Sequence, residues 1–255
     1  MKLNKEKKAY FASDMHLGSD VFEDPSVVEK RFVRWLDSIK DDAQVLYLLG
    51  DIFDFWYEYK YVVPKGFTRF LGKIAEMTDS GVEIHFFIGN HDIWVYDYLP
   101  QETGVIVHKA PLIENINGKI FYLAHGDGLG DNSHSFKLIR WLFHNKICQK
   151  LFGSLHPRWA FAFAHSWSRH SRKTGLLDPA GYPGEEKEHL VLYAKQYIIQ
   201  HPETDYLIFG HRHIMLDLML SHKNRMMIIG DWLQYFSYAV FDGTDLSLEQ
   251  FENKA

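Results

Sequence analysis

Short apolar runs alternate with amphipathic ones through the first half of this chain, and that order restricts the fold more than any other feature. Ala9–Ser13 reads as a short apolar strand ending in Asp14. Ser26–Lys40 then sets Val28, Phe32, Trp35, Leu36 and Ile39 at helical spacing. Gln44–Leu49 is a buried strand ending in Gly50-Asp51, and Phe67–Thr78 is a second helix. Val82–Ile88 is a third strand, ending in Gly89-Asn90-His91-Asp92. This βαβαβ order predicts a parallel sheet flanked by helices.

The pattern then changes. Pro111–Ile116 and Lys119–Ala124 flank Asn117-Gly118, a strong hairpin signal, and the second run ends in His125-Gly126-Asp127. Ser133–Gln200 reads as mostly helical and is rich in aromatic and basic residues. Strands resume at Tyr206–Phe209, Met215–Leu220, Arg225–Ile229, Tyr238–Phe241 and Leu246–Phe251, with short joins that predict an antiparallel meander. The expected architecture is α/β, with two mixed sheets face to face and helices outside, a four-layer αββα sandwich. A single domain over 1–255 is expected, with a helical cap insertion at about 133–184.

A chain of 255 residues allows one large domain or two small ones, and 46% hydrophobic with 24% charged residues excludes disorder. The single cysteine, Cys148, excludes an intrachain disulfide and any Cys-rich zinc or iron–sulfur site. A metal would have to be held by carboxylates and some of the 15 histidines. A net charge of −5 argues against a generalised nucleic-acid surface, so no nucleic-acid partner is expected. The Lys-rich segment Met1–Lys8 leads into no apolar signal, and no apolar run approaches the ~18 residues of a membrane span. A cytoplasmic setting is expected.

Polar groups recur just after the apolar strands: Asp14 and His16; Asp51 and Asp54; Asn90, His91 and Asp92; His125 and Asp127; His211 and His213. Ligands of α/β sheets bind beyond the carboxyl ends of the strands, where these groups should converge. Carboxylate oxygen, imidazole nitrogen and amide oxygen suit Mn, Fe or Zn. An Asp can bridge two ions ~3.5–4 Å apart, and such a pair clamps both oxygens of a phosphoryl displacement. A lone Asp or Asn after a strand also serves as a turn former or helix N-cap, and Asp54, Asp92 and Asp127 fit either use.

The sequences Ser13-Asp14-Met15-His16, Gly50-Asp51-Ile52-Phe53-Asp54, Gly89-Asn90-His91-Asp92, His125-Gly126-Asp127 and Gly210-His211-Arg212-His213 resemble the five ordered motifs of the calcineurin-like metallophosphoesterases. The resemblance implies two divalent ions, Mn²⁺ first, with Fe or Zn as alternatives. One ion would be held by Asp14, His16, Asp51 and His213, and the other by Asp51, Asn90, His125 and His211. It further implies a metal-bridging hydroxide as nucleophile and His91 over the scissile phosphate. Asp54 and Asp127 would orient ligand imidazoles, and Asp54 or Asp92 would orient His91 and keep it protonated.

Nearly the whole chain is also similar to the bacterial UDP-2,3-diacylglucosamine diphosphatases. The Ser-Asp-Met-His-Leu-Gly start, Phe55-Trp56 after the second motif, the long insert and Ile229-Gly230-Asp231-Trp232 before a final hairpin carry that likeness. It implies hydrolysis of a UDP-linked diacyl sugar to UMP and the acylated sugar phosphate, a step of lipid A biosynthesis at the cytoplasmic face of the inner membrane. His91 stands where the best-known branch of that family has Arg, which suggests a distinct branch.

In the insert, Trp141, Leu142, Phe143, Ile147, Leu151 and Phe152 fill one helical stretch, and Trp159 to Phe163 with Trp167 fill the next. Such helices can wall an acyl-chain groove and meet a membrane surface, with Arg169, Arg172 and Lys173 as candidate phosphate-binding residues. The same residues also read as ordinary helix packing with a solvated basic face. A soluble phosphodiester, nucleotide or phosphoprotein is the alternative substrate, and a non-catalytic scaffold ranks last because no candidate ligand is missing.

Overall fold

Two faces of single strands bury different cores, and this decides the layering. In β1 (Lys8–Ala12), Tyr10 and Ala12 enter one apolar cluster while Ala9 and Phe11 enter another. In β2 (Ala43–Leu48), Leu46 and Leu48 enter the first and Val45 and Tyr47 the second. Successive strand side chains point to opposite faces, so a strand apolar on both faces needs a covered sheet.

The computed structural model describes residues 1–130, 138, 141–171 and 181–252, with the backbone alone at 165 and 167–171. The labelled elements after β1 are α1 (Ser26–Ile39), β2, α2 (Thr68–Asp79), β3 (Glu83–Phe87), α3 (Tyr98–Thr103), β4 (Ile106–His108), β5 (Leu112–Ile116) and β6 (Lys119–Ala124). They continue with α4 (Lys146–Gly153), α5 (Pro157–Ser171), α6 (His189–Gln200), β7 (Tyr206–Phe209), β8 (Met215–Met219), β9 (Arg225–Ile229), β10 (Ser237–Phe241) and β11 (Leu246–Gln250). One sheet has the order β11-β10-β1-β2-β3-β4 and the other β5-β6-β7-β9-β8. β1 to β4 pair in parallel, as do β6, β7 and β9, whereas β10, β11, β5 and β8 join antiparallel. Both sheets are therefore mixed.

Between the sheets lies an aromatic layer, in which Phe11 stacks on Tyr47 at 5.1 Å and on Phe121 at 5.7 Å between ring centroids. α1 and α2 cover the first sheet through Phe32, Trp35 and Phe70, and α6 covers the second through Leu190, Val191 and Ala194. Burying a large apolar side chain stabilises by about 1.5–3 kcal/mol. The fully buried Trp35, Trp232, Phe32, Phe121 and Phe241 thus set a rigid base beneath the polar strand ends.

The expected meander is not what forms. β9 inserts between β7 and β8, and β10 crosses to the first sheet to pair with β1. Short joins constrain chain neighbours, but sheet partners are chosen by which apolar faces must be covered. α3 and β4, six and three residues long, are too short for periodicity to reveal.

α4 and α5 fall in the expected insert. Phe152 and Phe161 pack on Phe55, Tyr57 and Trp94 from the loops after β2 and β3. Tyr57 donates its hydroxyl hydrogen to the Gln149 carbonyl at 2.9 Å, and Trp94 Nε1 donates to the Phe143 carbonyl at 3.0 Å. The helices thereby sit against two of the loops that carry the motifs.

Candidate metal centre

The loops that follow the parallel strands are stitched to one another. Asp14 N–H donates to the Gly50 carbonyl at 3.1 Å and His16 N–H to the Asp51 carbonyl at 3.0 Å. Gly210 N–H donates to the His125 carbonyl at 2.9 Å, and Trp232 N–H to the Asp14 carbonyl at 3.1 Å. Asp14, His16, Asp51, His211 and His213 all have positive φ, between 45° and 69°. Left-handed backbone at non-glycine residues costs of order 1–3 kcal/mol each and persists where the surroundings over-determine it, most often at functional sites. Two glycines make room for the carboxylates. A Cβ on Gly89 would stand within 3.0 Å of the Asp51 carboxylate, and one on Gly210 within 3.0 Å of Asp14 Oδ2 and the Ser13 hydroxyl.

Among the described residues, three groups bring ligand atoms within 4.8 Å of one another: Asp14, His16 and His213; Asp51, His125 and His211; and His16, Asp51 and His91. His16 Nε2 lies 3.8 Å from both Asp14 Oδ1 and Asp51 Oδ2, so Asp51 reaches both of the first two groups. Asn90 Oδ1 lies 3.3 Å from His125 Nε2. All seven residues expected as ligands are therefore brought together.

Outer hydrogen bonds aim the imidazoles. His125 Nδ1 donates to the Leu49 carbonyl at 2.8 Å, which leaves Nε2 at 3.3 Å from Asp51 Oδ2. His213 Nδ1 lies 3.2 Å from Asp231 Oδ2, with Nε2 at 3.5 Å from Asp14 Oδ1. His16 Nδ1 lies 3.5 Å from Asp54 Oδ1. A carboxylate or carbonyl behind a ligating histidine fixes the tautomer that a metal needs.

The donor set fits divalent ions. Asp14 Oδ1 and His16 Nε2 are buried and make no hydrogen bond, and burying such groups is costly unless something coordinates them. The ion pairs that Asp14 and Asp51 make are with imidazoles. Burial works to raise both carboxyls, but the surrounding histidines win, holding Asp14 down to about 2 and Asp51 well below the ordinary range. Burial works against a charged His16, yet the neighbouring carboxylates of Asp14, Asp54 and Asp51 lift it to about 10, and Asp51 similarly raises His125. His211 is pushed down to about 3 by burial and the nearby charge of His125. Imidazoles ligate as neutral bases, so ions binding here displace the protons of His16 and His125.

The family model for calcineurin-like phosphoesterase matches residues 7–215. The chain belongs to this family. It is 46% identical over 257 aligned positions to a protein of Porphyromonas gingivalis named UDP-2,3-diacylglucosamine hydrolase, covering 96% of this chain and 98% of the relative. Proteins of the same name from Neisseria meningitidis (27% identity; 89% of this chain, 90% of the relative) and Shewanella baltica (23%; 95% and 96%) also match. In this phosphoesterase the remaining expected residues fall in different places.

His91 stands at the rim. Its ring meets His16 edge-on at 4.7 Å, and its Nδ1 donates to the Asp54 carbonyl at 2.9 Å. Burial lowers its pKa, against the charges of Asp51 and Asp54, which raise it. Asp54 orients it through the backbone, while the Asp54 carboxylate serves His16.

Asp92 requires a correction. Its fully buried carboxylate accepts N–H groups of Ile52 (2.8 Å), Phe53 (3.3 Å) and Gly89 (2.7 Å), and so ties two motif loops together instead of orienting the His91 ring. Burial beside Asp51 raises its pKa to about 7.

Asp127 is half-buried and adds to the negative charge that raises His125. Together with His125, His108 and Lys109 it lines a shallow cleft. Arg172, Lys173 and the Arg169 side chain lie outside the described residues.

Asp231 is the functional residue that the sequence reading did not single out. Besides orienting His213, it accepts the N–H groups of Leu233, Gln234 and Tyr235 at 3.1, 2.7 and 3.1 Å. Its signal was present: Gly230-Asp231 after an apolar strand repeats the form of Gly50-Asp51.

The glycine contacts make a direct test. Gly210→Ala forces Asp14 and Ser13 away from the following loop and should weaken metal binding by at least about 10–100-fold, the usual effect of disturbing ligand support. Metal content after dialysis measures it, and native metal content in a folded variant would contradict the packing described.

Proposed function

We propose that this phosphoesterase hydrolyses the pyrophosphate bond of UDP-2,3-diacylglucosamine, giving UMP and 2,3-diacylglucosamine 1-phosphate. The observation that carries the reading is the 46% identity along 96% of the chain with the relative of that name, together with a full ligand set at the strand ends. Asp14, His16, Asp51 and His213 would hold one divalent ion, and Asp51, Asn90, His125 and His211 a second, with Mn²⁺ proposed for both. When bound, two such ions supply Lewis-acid charge for the phosphoryl group and bring the pKa of water toward neutrality.

The protein's own residues do the rest. Asp51 holds the two positions in register, and Asp54, Asp231 and the Leu49 carbonyl fix the rings behind them. The Nδ1 hydrogen of His91 is committed to the Asp54 carbonyl. Its Nε2 is thus the nitrogen left to face the phosphoryl group, and when it carries a proton it can donate to a phosphoryl oxygen or to the leaving oxygen.

α4 and α5 are proposed as a cap that seats the acyl chains and meets an anionic membrane surface. Their contacts with the site loops leave Ile147, Leu151, Trp159 and Phe163, and Trp141 just upstream of α4, between 55% and 69% exposed. Exposed Lys146, Lys150 and Arg158 lie among them. Aromatic and aliphatic residues beside basic ones suit the headgroup boundary. No helix among the described residues is long and apolar enough to cross a membrane, so contact would be peripheral.

Two experiments test this. The Mn²⁺-loaded protein should release UMP from UDP-2,3-diacylglucosamine in anionic vesicles. Trp159→Ser with Phe163→Ser should lower that rate about tenfold or more, the range for removing one or two apolar anchors, while sparing a short-chain soluble analogue. No UMP release from either substrate would overturn the assignment, and equal loss on both would remove the membrane role. His91→Ala should keep two ions per chain and lose about 10²–10⁴-fold in turnover. Because His91 also lies within ligand distance of His16 and Asp51, loss of metal in that variant would make it a ligand instead.

A further inference from the structure

Arg212 sits between His211 and His213, which belong to different ligand groups, and neither the metal reading nor the proposed chemistry uses it. Its Nε hydrogen is shared between both carboxylate oxygens of Glu188, at 3.0 and 3.1 Å. The Glu188 side chain is fully buried, whereas Arg212 keeps 30% of its side chain exposed. Glu188 lies 24 residues upstream, immediately before α6. It closes the segment in which α4 and α5 lie. Its N–H donates to the Gly184 carbonyl at 3.0 Å, and its Oε1 also lies 3.4 Å from His189 Nδ1.

The two ends of the segment meet at this point. Gly130, at the entry, approaches the exit so closely that a Cβ there would stand 2.6 Å from the His189 carbonyl oxygen. The next residue, Leu190, packs 3.2 Å from where a Cβ on Gly126 would stand, with the His211 Cβ at 3.4 Å from the same point. The start of α6 therefore touches the loop carrying His125 and the loop carrying His211. The latter is also the strained one: His211 and His213 have φ of 69° and 50°, and Arg212 N–H donates to the Gly210 carbonyl at 2.8 Å. A tight loop with two left-handed residues needs an outside anchor, and a buried carboxylate needs a partner, because breaking such a pair leaves an uncompensated charge.

We propose that the Glu188–Arg212 ion pair is a positioning strut: it fixes the His211–His213 loop against the neck of the cap and so sets the geometry of both metal positions together. Arg212 is a positioning residue, not a ligand and not a group that touches the substrate. The strut rests on the two-ion reading above but is independent of which phosphoester is cleaved.

The test is Mn²⁺ titration of the metal-stripped full chain by calorimetry, followed by the electron paramagnetic resonance spectrum of the loaded protein. Arg212→Met should weaken uptake of both ions by about 10–100-fold and alter the exchange-coupled spectrum, while near-ultraviolet circular dichroism stays native. Because Arg212→Met strands a buried carboxylate, the double variant Glu188→Gln with Arg212→Met removes both charges and serves if the single variant fails to fold. The double variant should show the same loss. Native affinity and a native coupled spectrum in a folded double variant would overturn the strut. A failure of the substrate assignment would leave these readouts untouched, and a native chain that takes up no Mn²⁺ would refute the metal reading itself.

Discussion

Two buried carboxylates, Asp14 and Asp51, lie at the ends of adjacent parallel strands with imidazoles as their ion-pair partners. In an apolar interior such a pair is costly, and each feature of the surrounding loops either compensates for it or keeps it in place. Gly89 and Gly210 leave space for the carboxylate oxygens, and Ser13 donates its hydroxyl hydrogen to Asp14 at 2.5 Å. His91 N–H and His211 N–H reach across to Asp51 and Asp14 at 2.9 Å. Ions with oxygen and nitrogen ligands are the natural completion of such a cluster, and the left-handed residues around it mark how far the backbone is bent to assemble it.

The fold serves that cluster through strand direction. β1, β2 and β3 in one sheet and β6, β7 and β9 in the other deliver their following loops to one edge, where the loops bond to one another directly. The aromatic layer between the sheets fixes their separation, and hence the distance between Asp14 and Asp51 on one side and His125 and His211 on the other. The helices α4 and α5 bear on the Asp51–Asp54 and Asn90–Asp92 loops through Phe55, Tyr57 and Trp94.

Much of this was legible in the sequence, because strand ends are local features. An apolar run followed by Gly and Asp, Asn or His marks the strand and its polar tip, and that pattern predicts the convergence of Asp14, His16, Asp51, Asn90, His125, His211 and His213 that the fold brings about. What escaped depended on long-range packing. Asp231 carries the same local signature as Asp51, but its place behind His213 follows from β9 lying beside β7, a pairing no local pattern encodes. Asp92 follows the catalytic candidate directly in sequence, yet the turn points its carboxylate inward to bind Ile52, Phe53 and Gly89. β10 and β11 joined the first sheet because Ala239 and Phe241 complete the layer between the sheets. The Glu188–Arg212 pair spans the chain between two elements whose proximity only the fold creates.

If Asp51 is the shared group, the two metal positions stand or fall together. The most direct measurement is the metal content of Asp51→Ala after reconstitution with Mn²⁺ and gel filtration, against the native chain prepared alongside. Two ions per chain in the native protein and loss of both in the variant are the predicted results. One ion retained at full occupancy in a folded variant would show two independent sites, and would contradict the bridge on which this account is built.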